Sequence, residues 1–193
     1  MAQYIAFDSK AEVAGAALLA MLDALKWNQT AALEILNKYN IVNLQADGWY
    51  PHQAALDTHR EIAETIGVHN LYQIGTKIPE NAIYPPDIDS LEKALATLDI
   101  AYHMNHRGGE VGHYELIKME SHQAIMLCHN PNPCDFDRGI IIATARRFAT
   151  TGASVSLKHD ESQGCRKLGG ESCTYIVEWV LFKERKTTPF KTS

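Results

Sequence analysis

Cys134, Cys165 and Cys173, three of the four cysteines, fall in one stretch from Pro133 to Trp179, together with His159, Asp160 and Glu161. Thiolates joined by a carboxylate or an imidazole are the ligands of tetrahedral zinc, and four protein ligands close the site to water and substrate, which makes it structural. Glu161, four residues ahead of Cys165, is read as the fourth ligand, with His159 and Asp160 as competitors. The Gly169-Gly170 pair can reverse the chain so that Cys165 and Cys173 face each other, because glycine alone accepts the backbone angles of a tight turn without strain. The spacing is not the paired C-x2-C of a zinc ribbon, and the same residues can also serve as plain buried thiols.

A second group is imidazole-based. His103, His106 and His113 bracket Gly108-Gly109, and His103 and His106 stand one helical turn apart on one face. Such a pair can bind a metal, a haem iron or a polar group of a ligand. Histidines near a helix end also complement the helix dipole with no ligand at all. With Tyr102, these three histidines form the candidate ligand-binding set. Asp135 and Asp137 sit in the first turn of a helix, where carboxylates suit the dipole. His122 and His129 read as surface or strand residues. G-x-S-x-G, Walker A, G-x-G-x-x-G and H-E-x-x-H are all missing, so no acyl, phosphoryl or hydride transfer is indicated and the chain reads as a binding protein, not an enzyme.

The elements that must position these groups follow from hydrophobic period. One helix is expected from Glu12 to about Trp27, a second from about Thr30, and a third from Pro51 to Ile66, where Gly67 ends it. The segment Thr76 to Pro86 carries three prolines and reads as an irregular loop. A helix capped by Asp87 or Asp89, with Leu91, Leu95, Leu98 and Tyr102 on its apolar face, should run to about Asn105. Strands follow at about Val111 to Met119 and Gln123 to His129, then the helix ending at Phe148, then alternating strands through Val155/Leu157 and Tyr175/Val177/Trp179. The class is α+β, a helical N-terminal half followed by a β-β-α-β-β antiparallel sheet unit. A single ligand-binding domain is expected over residues 1–193, helical over 1–86, with the ligand site and sheet over 87–182 and a tail over 183–193. A cavity between the helices and the sheet is the natural ligand site.

A net charge of −5 without a basic patch argues against a nucleic-acid partner, and Lys183-Glu184-Arg185-Lys186 reads as a solvated end. No apolar run approaches the ~20 residues of a membrane helix. The opening Met-Ala-Gln-Tyr-Ile lacks the pattern of a secretory signal, so a cytoplasmic protein is expected.

At the Cys134 helix and the Cys165-x7-Cys173 turn, the chain resembles the 4-vinyl-reductase-type small-molecule-binding domain, the sensor module of activators of aromatic catabolism. In those sensors a cysteine opens a helix, and a C-x7-C pair with glycine between lies on the hairpin that follows. The resemblance covers roughly residues 95 to 180. It implies zinc at the three cysteines with an acidic fourth ligand, a pocket for a small hydrophobic ligand such as an aromatic compound or a tetrapyrrole, a homodimer formed through the N-terminal region, and a separate signalling partner protein. The carboxylate of those sensors lies closer to the first hairpin cysteine than Glu161 does here. The family's name also implies an enzyme acting on a vinyl tetrapyrrole. The wider superfamily, which includes Golgi transport components, contains the haem nitric-oxide/oxygen-binding domain, and Leu98-Asp99-Ile100-Ala101-Tyr102-His103 looks similar to its proximal-histidine helix. That similarity implies a haem-based gas sensor with His103 as iron ligand. The Y-x-S-x-R motif that holds haem propionates would fall at Cys128-His129-Asn130-Pro131-Asn132-Pro133, which has neither tyrosine nor arginine.

Overall fold

The computed structural model describes residues 3–181. The Lys183–Lys186 run and the tail 183–193 lie outside the described residues. Seven α-helices are described: α1 Gly15–Ala24, α2 Gln29–Lys38, α3 His52–Ile62, α4 His69–Asn81, α5 Leu91–Ala96, α6 Leu98–Met104 and α7 Cys134–Phe148. The strands are β1 Glu12–Ala14, β2 Trp49–Pro51, β3 His106–Arg107, β4 His113–Met119, β5 Gln123–His129, β6 Ala153–His159 and β7 Cys173–Leu181. The last four make an antiparallel sheet in the order β4-β5-β7-β6, and the first three make a small ribbon in the order β2-β1-β3. Among the described residues no helix is long and apolar enough to cross a membrane.

The large sheet follows from alternation. Ala124, Met126 and Cys128 on β5 and Cys173, Tyr175, Val177 and Trp179 on β7 are buried on one face, as side chains two apart must be when a single face meets the core. The helix α7 turns Phe136, Ile140, Ile141 and Ala145 inward and packs against α4 and the sheet. Gly75 of α4 meets Gly139 of α7 at their crossing. A methyl group at Gly75 would strike the Phe136 carbonyl, and one at Gly139 would strike the carbonyl of Tyr72. Only two glycines let these backbones approach so closely.

Three expected elements differ. Residues 12–14 are a strand and not the first turn of a helix, because Val13 pairs with both Tyr50 and His106, and His52 N–H closes the ribbon on Ala11 O at 2.8 Å. The expected Thr76–Pro86 loop is helical to Asn81. Pro79 there loses one backbone donor, but packing on α7 holds the segment and Arg147 donates to the Pro79 carbonyl. The single helix expected from Asp87 or Asp89 is two, capped by Ser90, whose Oγ accepts Lys93 N–H at 3.1 Å. Thr97 divides them, its hydroxyl returning to Lys93 O at 2.8 Å in competition with the backbone.

Candidate functional site

Two sites take residues from α7. The first is built where four segment ends converge: Cys134 opens α7, His159 closes β6, Cys165 opens a short turn and Cys173 opens β7. Gly169 takes φ +90° in that turn, which supplies the expected reversal. The sulfurs of Cys134, Cys165 and Cys173 stand 3.2, 3.5 and 4.0 Å apart, and all four cysteines are free thiols. Zinc–sulfur bonds of about 2.3 Å at tetrahedral angles would separate sulfurs by about 3.8 Å. One ligand atom each from Cys134, His159, Cys165 and Cys173 falls within 4.8 Å of the others. Nε2 of His159 is buried, as expected of a nitrogen placed for a metal.

Glu161, expected as fourth ligand, lies outside this group with its side chain 66% exposed, and its carboxylate stands 3.7 Å from Nδ1 of His159. That is the position of the outer carboxylate that orients a metal-bound imidazole. Asp160 caps the following turn through Ser162 N–H. The His159 ring stacks on Tyr175 at 4.7 Å, and the Tyr175 hydroxyl donates to Cys134 O at 2.8 Å. The hydrogen bond with Cys134, joined by His159 and the Arg166 guanidinium, overcomes burial and pulls the Cys173 thiol down. The same shared proton, with burial, pushes Cys134 up. Three thiols and a buried imidazole with their ligand atoms gathered together are a donor set that fits zinc.

Arg166 ties this corner to the interior. Its Nε and backbone N–H both donate to Cys173 Sγ at 3.4 Å, and its terminal nitrogens donate to Asn130 and Asp137. Asp137, expected from its position to serve the helix dipole, is fully buried. It also accepts from the Tyr114 hydroxyl at 2.6 Å and from Asn132 Nδ2 at 3.3 Å. Burial pushes its carboxyl up while Arg166 and Tyr114 oppose the shift; with three donors converging on it, the ionised form is the one the geometry supports.

Tyr114 and Asn132 reach the second site, an apolar cavity lined from α1, α3, α4, α6, α7, β1, β3 and β4. Of the expected ligand-binding set, Tyr102 and His106 line it; His103 and His113 do not. The side chain of His103 is 50% exposed, and its Nδ1 is bound to Asp99 O on its own helix at 2.9 Å. His113 packs on His129, with ring centroids 5.1 Å apart, across β4 and β5. Sequence reasoning missed His52 and His59, which line the cavity from α3. Their signal was available, since residues 52, 55, 56, 59 and 62 form one buried helical stripe in which two members are imidazoles. Burial lowers His52 to about 3 and His59 and His106 to about 4, so all three are neutral at physiological pH. The His52 and His106 rings lie 4.8 Å apart.

These residues do not fit a haem. The space open to the centre of a water-sized sphere is about 70 Å³, room for roughly five to seven waters, whereas a tetrapyrrole is several times larger. Among the described residues no lysine or arginine lines the cavity, and the nearby Arg166 is already paired with Asp137, so propionates would be buried without a cation. His103 stands outside.

No protein-family model matches the chain, and no curated protein sequence does. Solved structures do. An H-NOX protein from S. oneidensis in the Fe(II) ligation state superposes with a TM-score of 0.65 at 14% identity, covering 89% of this chain and 98% of that one. Fe(II) unliganded H-NOX from K. algicida gives 0.63 at 13%, covering 90% and 100%. The oxygen complex of an H-NOX domain related to soluble guanylate cyclases gives 0.60 at 14%, covering 89% and 96%. At such identity the likeness is one of architecture: this chain has the α+β fold of the H-NOX domains.

Proposed function

We propose that this chain is a small-molecule sensor domain with a structural zinc centre. The observation that carries the proposal is the cavity: an apolar space at the junction of the two halves, lined by the neutral imidazoles of His52, His59 and His106. Apolar pockets with a few polar groups are where small molecules bind. Zinc on Cys134, His159, Cys165 and Cys173 would lock the ends of α7, β6 and β7 together and supply folding energy, with no open position for catalysis.

A guest would act by favouring one arrangement of α3 and α6 against α7, a change in population that a separate signalling protein, or a second copy of this chain, reads. Arg166, Asp137 and Tyr114 make a continuous hydrogen-bonded path from Cys173 to the cavity wall. The expected ligand class narrows from aromatic compounds and tetrapyrroles to molecules of one small ring. Native mass spectrometry of protein purified without added metal tests the reading. One zinc per chain plus a released small organic molecule supports it, and a metal-free, guest-free chain that refuses zinc counts against it.

The second reading is the haem gas sensor, favoured by the fold shared with H-NOX domains, although the cavity is small and, among the described residues, no cation lines it. Incubation with hemin decides it. A Soret band that survives His103→Ala and disappears in His106→Ala would favour haem held inside the cavity.

A further inference from the structure

The geometry points to a guest of defined chemistry: an uncharged, largely apolar molecule of about one small ring that donates a hydrogen bond to Nε2 of His106. This rests on the sensor reading and names the ligand class of the same cavity.

The tautomer of His106 is fixed by its neighbour. Nδ1 lies 2.8 Å from the carbonyl oxygen of Tyr102, and a carbonyl can only accept, so Nδ1 carries the proton. In a neutral imidazole the other nitrogen is then a bare acceptor. His106 lines the cavity, with its ring 4.2 Å from Tyr102 and 4.8 Å from His52.

The other polar side chains of the wall are already engaged with protein. The Tyr102 hydroxyl donates to Val111 O at 2.7 Å, Tyr114 to Asp137 at 2.6 Å, and Tyr84 shares a bond with Thr144 at 2.9 Å. Asn105 Nδ2 is held by Ala101 O at 2.7 Å and Ile83 O at 3.0 Å. What remains for a guest is acceptor atoms: Nε2 of His106, and Oδ1 of Asn132, whose Nδ2 donates to Asp137 at 3.3 Å. Among the described residues no formal charge lines the wall, so an ionised guest would be buried unpaired. At about 10–15 Å³ for each water-sized group, the 70 Å³ admits roughly five to seven of them, about one small ring.

Pyrrole and furan separate the terms. They are isosteric rings that differ in carrying an N–H donor or an oxygen, and both suit the space. Each is titrated into the zinc-loaded full chain and read by 1H–15N NMR of the amides and the histidine rings. Pyrrole should bind saturably, shift the His106 Nε2 resonance, and bind about threefold to tenfold more tightly than furan, the range expected of one net hydrogen bond. In His106→Phe that preference should vanish while furan still binds. The wild-type comparison stands alone should the variant fold poorly. Equal affinities, or pyrrole binding without a shift at Nε2, would overturn the donor assignment and leave the sensor reading intact. Stoichiometric hemin binding would overturn the size limit and also leave a sensor. Saturable binding of neither ring to folded protein would overturn both.

Discussion

Asp137 and Arg166 carry opposite charges inside the protein, with side chains 0% and 1% exposed. Removing one partner leaves the other charge buried and unpaired, which costs about 3–5 kcal/mol, whereas replacing both by apolar residues of similar volume is often close to neutral. Asp137→Ala should therefore lose about that much stability in urea titration, and Asp137→Leu combined with Arg166→Met should recover most of it. A double variant as weak as the single one would refute the account. At the thiol corner, His159→Ala should abolish stoichiometric zinc, while Glu161→Ala should weaken affinity about 10- to 100-fold, as loss of an outer carboxylate does. Competition with a chromophoric chelator measures both. The three thiols were legible because C-x7-C with an internal glycine pair implies a turn. That His159 and not Glu161 stands among the thiols was not, since it depends on which residue ends β6 and which begins the next turn. Asp137 stands in the first turn of α7 as read, but a helix start explains a carboxylate only locally, and only the fold shows that Arg166, 29 residues on, arrives beside it.

Among the elements, the α4–α7 crossing is the most demanding. The atoms that a Cβ would strike at Gly75 and Gly139 are backbone on both sides, so neither helix can yield by a rotamer change. Gly139→Ala should cost about 1–3 kcal/mol as overpacking, read as a lowered melting temperature, with Gly139→Val worse; a variant melting like the parent would show that the helices can separate freely. The sequence revealed β5 to the residue, because seven alternating positions carry a clear period. It concealed α4, where Pro79 and its neighbours mimic a loop while tertiary packing sustains the helix. The ribbon strands of two and three residues are too short to show any period at all.

Across the molecule, three neutral buried histidines couple folding to pH. Folded values near 3 for His52 and near 4 for His59 and His106 lie below the 6.5 of the unfolded chain, so on acidification the unfolded state takes up protons first. Their contribution is fully present above about pH 6.5 and is lost as pH falls from there toward 4, by roughly 1.4 kcal/mol per pH unit for each histidine. Melting temperature should drop between pH 7 and pH 5, and His52→Phe should flatten the drop. An unchanged melting curve over that interval would mean that the rings are hydrated. Chelation of zinc at pH 7 should independently lower the melting temperature. The helical first half and the sheet-bearing second half were legible from period alone. The cavity's lining was only half legible, because α3 and α6 meet through the ribbon and not through adjacent sequence.

That ribbon carries a consequence for charge. β1 pairs Val13 with His106 and Glu12 with Arg107, and Arg107 is clasped outside, its Nε 2.6 Å from Glu12 and its guanidinium 4.5 Å above the Trp49 ring. Neighbouring residues on a strand point to opposite sides, so a slip of one position exchanges their faces. An imidazole would leave the cavity wall and a permanent cation would enter it. The neutrality of the chamber is thus set by a backbone reading frame: an extra residue after Arg107 should be absorbed by the Gly108-Gly109 turn, whereas loss of one residue between Tyr102 and His106 would bring Arg107 to the wall and turn a site for neutral guests into a site for anions.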